Sequence, residues 1–198
     1  MLAFVPGVTP AKWVGVWKVR MPRTPIDLRP VSQTEALRSL HSGDATVALL
    51  RLPFDQDRLS VIPLYFETQV VVAAKEHPIA VFASVTRADL VDENVVSGEY
   101  AETVELVAAT DSVAIMPQSI ARLHSRKDVV ARPIADAPET RIALAWLGVE
   151  VTPAIEEFVG IVRGRTANSS RGTETPPQVK KASPTRKPEN RAAKARRR

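Results

Sequence analysis

The chain has 198 residues, 44% hydrophobic and only 5% aromatic, which is length for one domain or two small lobes with a core of Val, Ala, Leu and Ile. It has no cysteine, which excludes disulfides, thiolate metal sites and a cysteine nucleophile and fits a reducing compartment. The net charge of +5 is unevenly spread: residues 171–198 hold ten Lys or Arg against two Glu, whereas residues 1–170 hold 17 basic and 20 acidic residues.

The opening stretch MLAFVPGVTP has no basic segment and no long apolar run, so no export signal is read there. No apolar run approaches the roughly 18 residues of a membrane span. A soluble, cytoplasmic protein without membrane contact is expected. Leu2–Val5 reads as a strand ahead of Pro6-Gly7. Thr9-Pro10 opens a helix, with Thr9 as its cap and Pro10 at its first position, and Trp13, Val14 and Trp17 recur at helical spacing. Pro25–Pro30 alternates as a half-buried strand. Ser32, with Glu35 three residues on, forms a capping box for a second helix; Leu37 and Leu40 face the core and Gly43 stands just past the end. Ala45–Leu50 is a continuous apolar run, as in a parallel strand covered on both faces. Strand, helix, strand, helix, strand in this order implies a parallel sheet with right-handed crossovers.

Arg58–Tyr65 and Thr68–Ala74 add two strands, and the turn Lys75-Glu76-His77-Pro78 gives His77 a structural role. Val85–Leu90 reads as a short helix capped by Thr86, Val95-Val96 as a brief strand and Thr103–Ala109 as a helix. Val113–Met116 is a strand, and Pro117 opens the helix of PQSIARLHSR. Val129–Pro133 and Arg141–Trp146 are strands. Pro153–Arg163 is an amphipathic helix with Ile155, Phe158, Val159 and Val162 on one face. From Ala167 onward Ser, Thr, Pro, Lys and Arg dominate and apolar periodicity stops, so residues 166–198 are expected to be a disordered basic tail.

In doubly wound sheets, ligands bind beyond the carboxyl ends of strands and against helix N-termini. That rule selects Gly7, Val8 and Thr9 after the first strand, Ser32 after the second, and Arg51 and Leu52 at the end of the third. Free N–H groups and the Thr9 and Ser32 hydroxyls suit a carboxylate, although both residues serve equally well as simple caps. Arg51 is open between a ligand anion and surface pairing with Asp55 or Asp57. Gln118 and Ser119, at the helix start after VAIMP, face the same cleft.

His41, His77 and His124 are scattered, with no pair at metal-binding spacing, so no metal is expected. No phosphate loop, dinucleotide fingerprint or nucleophile elbow occurs, and Glu156-Glu157 and Asp92-Glu93 are adjacent pairs on solvated faces. No catalytic residue and no cofactor is assigned. In the tail, Lys180, Lys181, Arg186, Lys187, Arg191, Lys194, Arg196, Arg197 and Arg198 form either a solubilising extension or a polyelectrolyte arm for non-specific nucleic acid. No aromatic residue interleaves them, so base stacking is not offered.

Taken in order, FVPGVTPAKW, QTEALRSLHSGDATVALLRLP, VIPLYFETQVVVAAKEHPIA, TVELVAATDSVAIMPQSIARL and DAPETRIALAW carry a family likeness. Over roughly residues 2–164 the chain resembles the effector (substrate)-binding domain of LysR-type transcriptional regulators, a fold shared with type 2 periplasmic binding proteins. The resemblance implies a two-lobed α/β domain with mostly parallel sheets over residues 1–165. Lobe one would be 1–67 plus 149–165, and lobe two 68–148. It also implies a small carboxylate-like effector, a part in transcriptional regulation, no catalysis, and side-by-side pairing with a second copy or with a regulator of the same type.

Two departures qualify this likeness. Met1 falls at the family's first strand, so a stand-alone module without the helix-turn-helix is expected. A further helix and strand that the family carries between the positions of Gly98 and Thr103 are missing, which implies a shortened second lobe. A nucleic-acid-associated protein using its tail, and a degenerate paralogue kept only for interaction, are the competing readings.

Overall fold

The computed structural model describes residues 1–148 and 151–165 of the chain. In the first half, β1 (Leu2–Phe4), α1 (Ala11–Arg20), β2 (Leu28–Pro30), α2 (Gln33–Ser42) and β3 (Val47–Leu52) alternate in the predicted order, although β2 is exposed at each of its residues rather than half-buried. Then follow β4 (Leu59–Glu67), β5 (Gln69–Ala74), β6 (Val95–Val96), α3 (Ala101–Ala109), β7 (Val113–Pro117), α4 (Gln118–Leu123), β8 (Val129–Pro133), β9 (Thr140–Leu147) and α5 (Pro153–Val162). The strands form two sheets, in the orders β2-β1-β3-β9-β4 and β6-β7-β5-β8.

Two sequence expectations are corrected here. The sheets are mixed, not mostly parallel. β1 runs parallel to β2 and β3, and β6 to β7, but β3–β9, β4–β9, β5–β7 and β5–β8 are all antiparallel. A strand covered on both faces is apolar throughout whichever way its neighbours run, so an apolar run does not reveal direction.

The second correction concerns β9, expected to close lobe two. It lies in the first sheet, between β3 and β4. Its buried run Ile142–Trp146 covers the free side of β3, pairing Ala48 with Ala145 and Leu50 with Ala143. The boundary at residue 148 therefore falls too late. β4 carries the chain out of the first sheet and β9 brings it back, antiparallel to it.

Each sheet has its own core. Around the first, Leu2, Leu40, Leu49, Leu50, Leu144 and Phe158 are buried together, and Trp17 meets Phe158 edge-on with ring centroids 5.9 Å apart. In the second, strand alternation divides β5: Val70 and Val72 pack on Val104, Val107 and Ile120, while Val71 and Ala73 pack on Ile79, Val85 and Leu90. His77 is buried beside the second core; its Nδ1 accepts the Ile79 N–H at 3.2 Å, and its Nε2 lies 3.2 Å from a Glu93 oxygen. Its role in the turn is structural.

The caps are partly as read. Ser32 accepts the Glu35 N–H at 3.2 Å, and Gly43 ends α2 in the left-handed region at φ 82°. Thr9 does not cap α1, because Pro10 occupies the N-cap position and makes no side-chain bond, leaving Thr9 one residue too far out. Thr86 does not cap its short helix either; its N–H and hydroxyl both donate to Asp89 Oδ2, at 2.7 and 2.8 Å. Among the described residues no helix is long and apolar enough to cross a membrane. The disorder expected over residues 166–198 lies outside the described residues.

These caps make a test. Ser32→Ala is expected to lower the free energy of unfolding by about 1 kcal/mol, and Thr9→Ala to leave it unchanged within about 0.5 kcal/mol, both measured by urea titration.

Candidate functional site

The site grows from the end of β3. Arg51 pairs with Ile142 of β9 in the ladder, and β9 in turn sets Thr140 opposite Glu67, the last residue of β4. Reaching over β9, Arg51 Nε donates to Glu67 Oε2 at 2.7 Å, and Nη2 lies 3.5 Å from Oε1. Both side chains are buried, 10% and 5% exposed. Arg51 Nη2 also donates to the Pro6 carbonyl at 3.2 Å and to Ser119 Oγ at 3.5 Å, and the Ser119 hydroxyl donates to Glu67.

One guanidinium thus ties together the loop after β1, the end of β4 and the start of α4, and with them the two sheets. Gly7 belongs to the same contact. Its φ is +84°, and a Cβ there would stand 2.5 Å from Ser119 Oγ, so the close approach requires glycine.

The backbone of Arg51 is held as firmly as its side chain. The β1–β3 ladder ends at Phe4 and Leu49, leaving the Arg51 N–H and C=O without a strand partner on that side. The Gln33 amide fills the gap, accepting the Arg51 N–H at 2.9 Å and donating to its carbonyl at 2.8 Å.

Beside this network lies a cleft of about 480 Å³. Ser32, Gln33, Thr34, Arg51, Leu52 and Pro53 form its first-sheet wall, Glu99, Tyr100 and Ile120 the opposite wall, and Thr140 its junction. Glu99 Oε2 stands 3.6 Å from Arg51 Nη1, with the Glu99 side chain 46% exposed. Burial, then the nearby Glu67 charge, raise the Tyr65 hydroxyl above its ordinary pKa of 10.0, with Arg51 opposing them. A second depression of about 340 Å³ is lined by Gly7, Val8, Thr9, Ser119, Arg122 and Leu123 and shares no lining residue with the first.

The eight sequence-selected residues are therefore divided. Ser32, Arg51 and Leu52 line the larger cleft, and Gly7, Val8, Thr9 and Ser119 line the smaller one. Gln118 lines neither, and its N–H is taken by the Thr68 carbonyl at 2.9 Å. Both readings offered for Arg51 are incomplete, since its partner is Glu67, while Asp55 accepts the Asp57 N–H at 3.0 Å.

Sequence reasoning missed Glu67, Gln33, Glu99, Tyr100 and Thr140. For Glu99 and Tyr100 a signal existed: both fall in the Gly98–Thr103 interval where the family pattern is shortened. Among the described residues no group of three or more His, Cys, Asp or Glu could hold a metal ion. The nine tail cations, Lys180, Lys181, Arg186, Lys187, Arg191, Lys194, Arg196, Arg197 and Arg198, lie outside the described residues.

Comparison with known proteins bears on the family and the fold. Residues 10–103 match the family of the LysR substrate binding domain. The chain is 26% identical over 188 residues to the Hca operon transcriptional activator HcaR of Escherichia coli (strain K12), covering 79% of this chain and 63% of that protein. It thus spans less than two thirds of this curated relative. The aligned stretch of 188 positions takes in only 79% of 198 residues, so the alignment contains gaps on this side.

Among solved structures, the reduced form of the OxyR regulatory domain from Pseudomonas aeruginosa superposes with a TM-score of 0.64 at 22% identity, covering 82% of this chain and 96% of that one. The BenM effector binding domain with its effector benzoate superposes with a TM-score of 0.70 at 16% identity, covering 82% and 90%. The fold is that of LysR effector-binding domains.

The buried pair predicts an asymmetry between single and double substitution. Arg51→Ala, which strands the Glu67 charge, is expected to cost about 3–5 kcal/mol in urea unfolding, whereas R51M/E67M together are expected to stay within about 1–2 kcal/mol of the native chain.

Proposed function

We propose, from the premise that residues 10–103 belong to a LysR-type substrate-binding domain, that this chain is the ligand-sensing module of a transcriptional regulator. It binds a small effector bearing a carboxylate in the cleft between Ser32–Thr34 and Glu99–Tyr100. One observation carries this reading. Arg51 commits Nε and Nη2 to internal hydrogen bonds, while among the described residues Nη1 has only the loose contact with Glu99 at 3.6 Å and its residue lines a cleft of about 480 Å³. A guanidinium fixed on one side and free on the other suits a carboxylate.

Ser32 supports the same reading from the start of α2. Its oxygen accepts the cap bond, which leaves its own O–H to donate, and the helix N-terminus adds a favourable dipole for an anion. Leu52 supplies apolar wall. Gly7, Val8, Thr9 and Ser119 serve the contact between the sheets and the smaller depression, and Gln118 a backbone bond. The BenM structure's benzoate is a carboxylate, which agrees with the class proposed.

The module acts in the cytoplasm as a binding protein rather than an enzyme. Its output passes through pairing with a second copy or with a regulator of the same type. A second reading, favoured by the ten Lys or Arg against two Glu in residues 171–198, gives the tail a non-specific hold on nucleic acid.

Thermal unfolding of the full chain against a panel of aliphatic and aromatic carboxylic acids, benzoate included, tests the cleft. At least one acid is expected to raise the midpoint, since a ligand at 100 times its Kd adds about 2.7 kcal/mol. Thr34→Trp, which fills the cleft from an exposed position, is expected to abolish the rise without lowering the ligand-free midpoint. A panel with no stabilising acid removes the carboxylate reading and leaves an interaction-only paralogue. For the tail, deletion of residues 167–198 is expected to abolish a DNA affinity that falls steeply with salt; undiminished binding by the truncated chain rejects that role.

A further inference from the structure

The proposed carboxylate site leaves Glu99 unexplained. Arg51 belongs to β3 in the first sheet, while Glu99 precedes α3, which packs on the second. The two charges therefore face each other across the cleft from opposite lobes. Their separation of 3.6 Å is too long for a firm charge-assisted hydrogen bond, and Glu99 is 46% exposed, so the pair is weakly coupled and readily opened. The contact between Arg51 and Glu67 is 2.7 Å and buried. It stays closed while the outer pair opens.

With Glu67 buried behind the cleft and Glu99 lining it, the single Arg51 cation faces two anions. A ligand with a carboxylate alone must evict Glu99 and then sit beside it, two like charges sharing one guanidinium. A ligand with an ammonium alone finds Glu99 but meets Arg51. A ligand with both groups replaces one loose ion pair by two direct ones and keeps the local charge unchanged.

We infer that the effector is a zwitterion of the amino-acid class, its carboxylate on Arg51 Nη1 and its ammonium on Glu99. The inference rests on the proposed reading of the cleft. The Tyr100 ring, Leu52 and Ile120 supply apolar wall for the rest of the molecule. Such a ligand bridges the lobes through its own two charges, so its binding biases the distance between them.

Isothermal titration of the full chain with each protein amino acid, with its des-amino acid and with its decarboxylated amine tests this. At least one amino acid is expected to bind about tenfold or more tighter than either single-charge analogue, the difference a charge-assisted hydrogen bond makes. Glu99→Gln, at an exposed position and with an unchanged ligand-free midpoint, is expected to weaken the amino acid about tenfold and to tighten the des-amino acid, reversing the preference. If the des-amino acid binds the native chain as tightly as the amino acid, or Glu99→Gln leaves their ratio unchanged, the zwitterion is overturned and the carboxylate cleft survives. If nothing in this panel binds, the zwitterion is overturned, and the carboxylate reading is decided separately by the acid panel that includes benzoate.

Discussion

A guanidinium withdrawn from water must have its charge answered by protein groups, because moving an ion out of solvent costs several kcal/mol unless a partner and hydrogen bonds replace the lost hydration. Arg51 is 8% exposed, and everything that answers it comes from elsewhere in the chain. Glu67 is delivered by the end of β4, the Pro6 carbonyl by the loop after β1 and the Ser119 hydroxyl by the start of α4. None of these segments can move far without exposing a buried charge to an unfavourable medium. The strand order β3-β9-β4 and the seating of α4 against Gly7 are thus parts of one electrostatic requirement.

The same residue borders the cleft, and its duties are divided by atom. Nε and Nη2 look inward and hold the two sheets; among the described residues Nη1 contacts only Glu99, at 3.6 Å. On the proposed reading, a ligand group arriving at Nη1 would perturb a side chain already bonded to both lobes through Glu67 and Ser119. In a sensor this is a short route from binding to rearrangement, since no chain of intermediate side chains has to be invoked. On the proposed reading, a core residue and a binding residue coincide here because only a firmly fixed guanidinium presents its remaining N–H groups in a constant direction.

Much of the element list was legible in the sequence, and most of the partnerships were not. Ala45–Leu50 and Arg141–Trp146 announce strands because apolar side chains on both faces need cover on both faces. They are silent about which sheet supplies the cover, so the apolar run of β9 does not reveal that it lies between β3 and β4. Ser32 was legible as a cap because Glu35 follows at the right spacing, whereas Thr9 misled because Pro10 itself occupies the cap position. Glu67 was invisible. At the end of LYFE it reads as an ordinary solvated carboxylate, and only a fold that brings it to Arg51, 16 residues away, makes it buried. Composition and spacing report local preference, and a buried ion pair is a non-local fact.

The family resemblance implies a shortened interval between Gly98 and Thr103, and such a shortening bears on specificity more than on stability. Each face of the second sheet keeps its own apolar cluster, so the loss has not opened a core. The first-sheet wall of the cleft is made by Ser32–Thr34 and Arg51–Pro53. What the shortening changes is the opposite wall, where the few residues left between β6 and α3 place Glu99 and Tyr100 directly against the cleft. A lost segment is commonly taken as decay of function. Here the remaining link supplies the only acidic side chain on that wall, within 3.6 Å of the one guanidinium among the cleft-lining residues. Under the proposed reading of the cleft, a ligand that satisfies Arg51 must also satisfy or expel Glu99, and that constraint narrows the ligand class rather than abolishing the site.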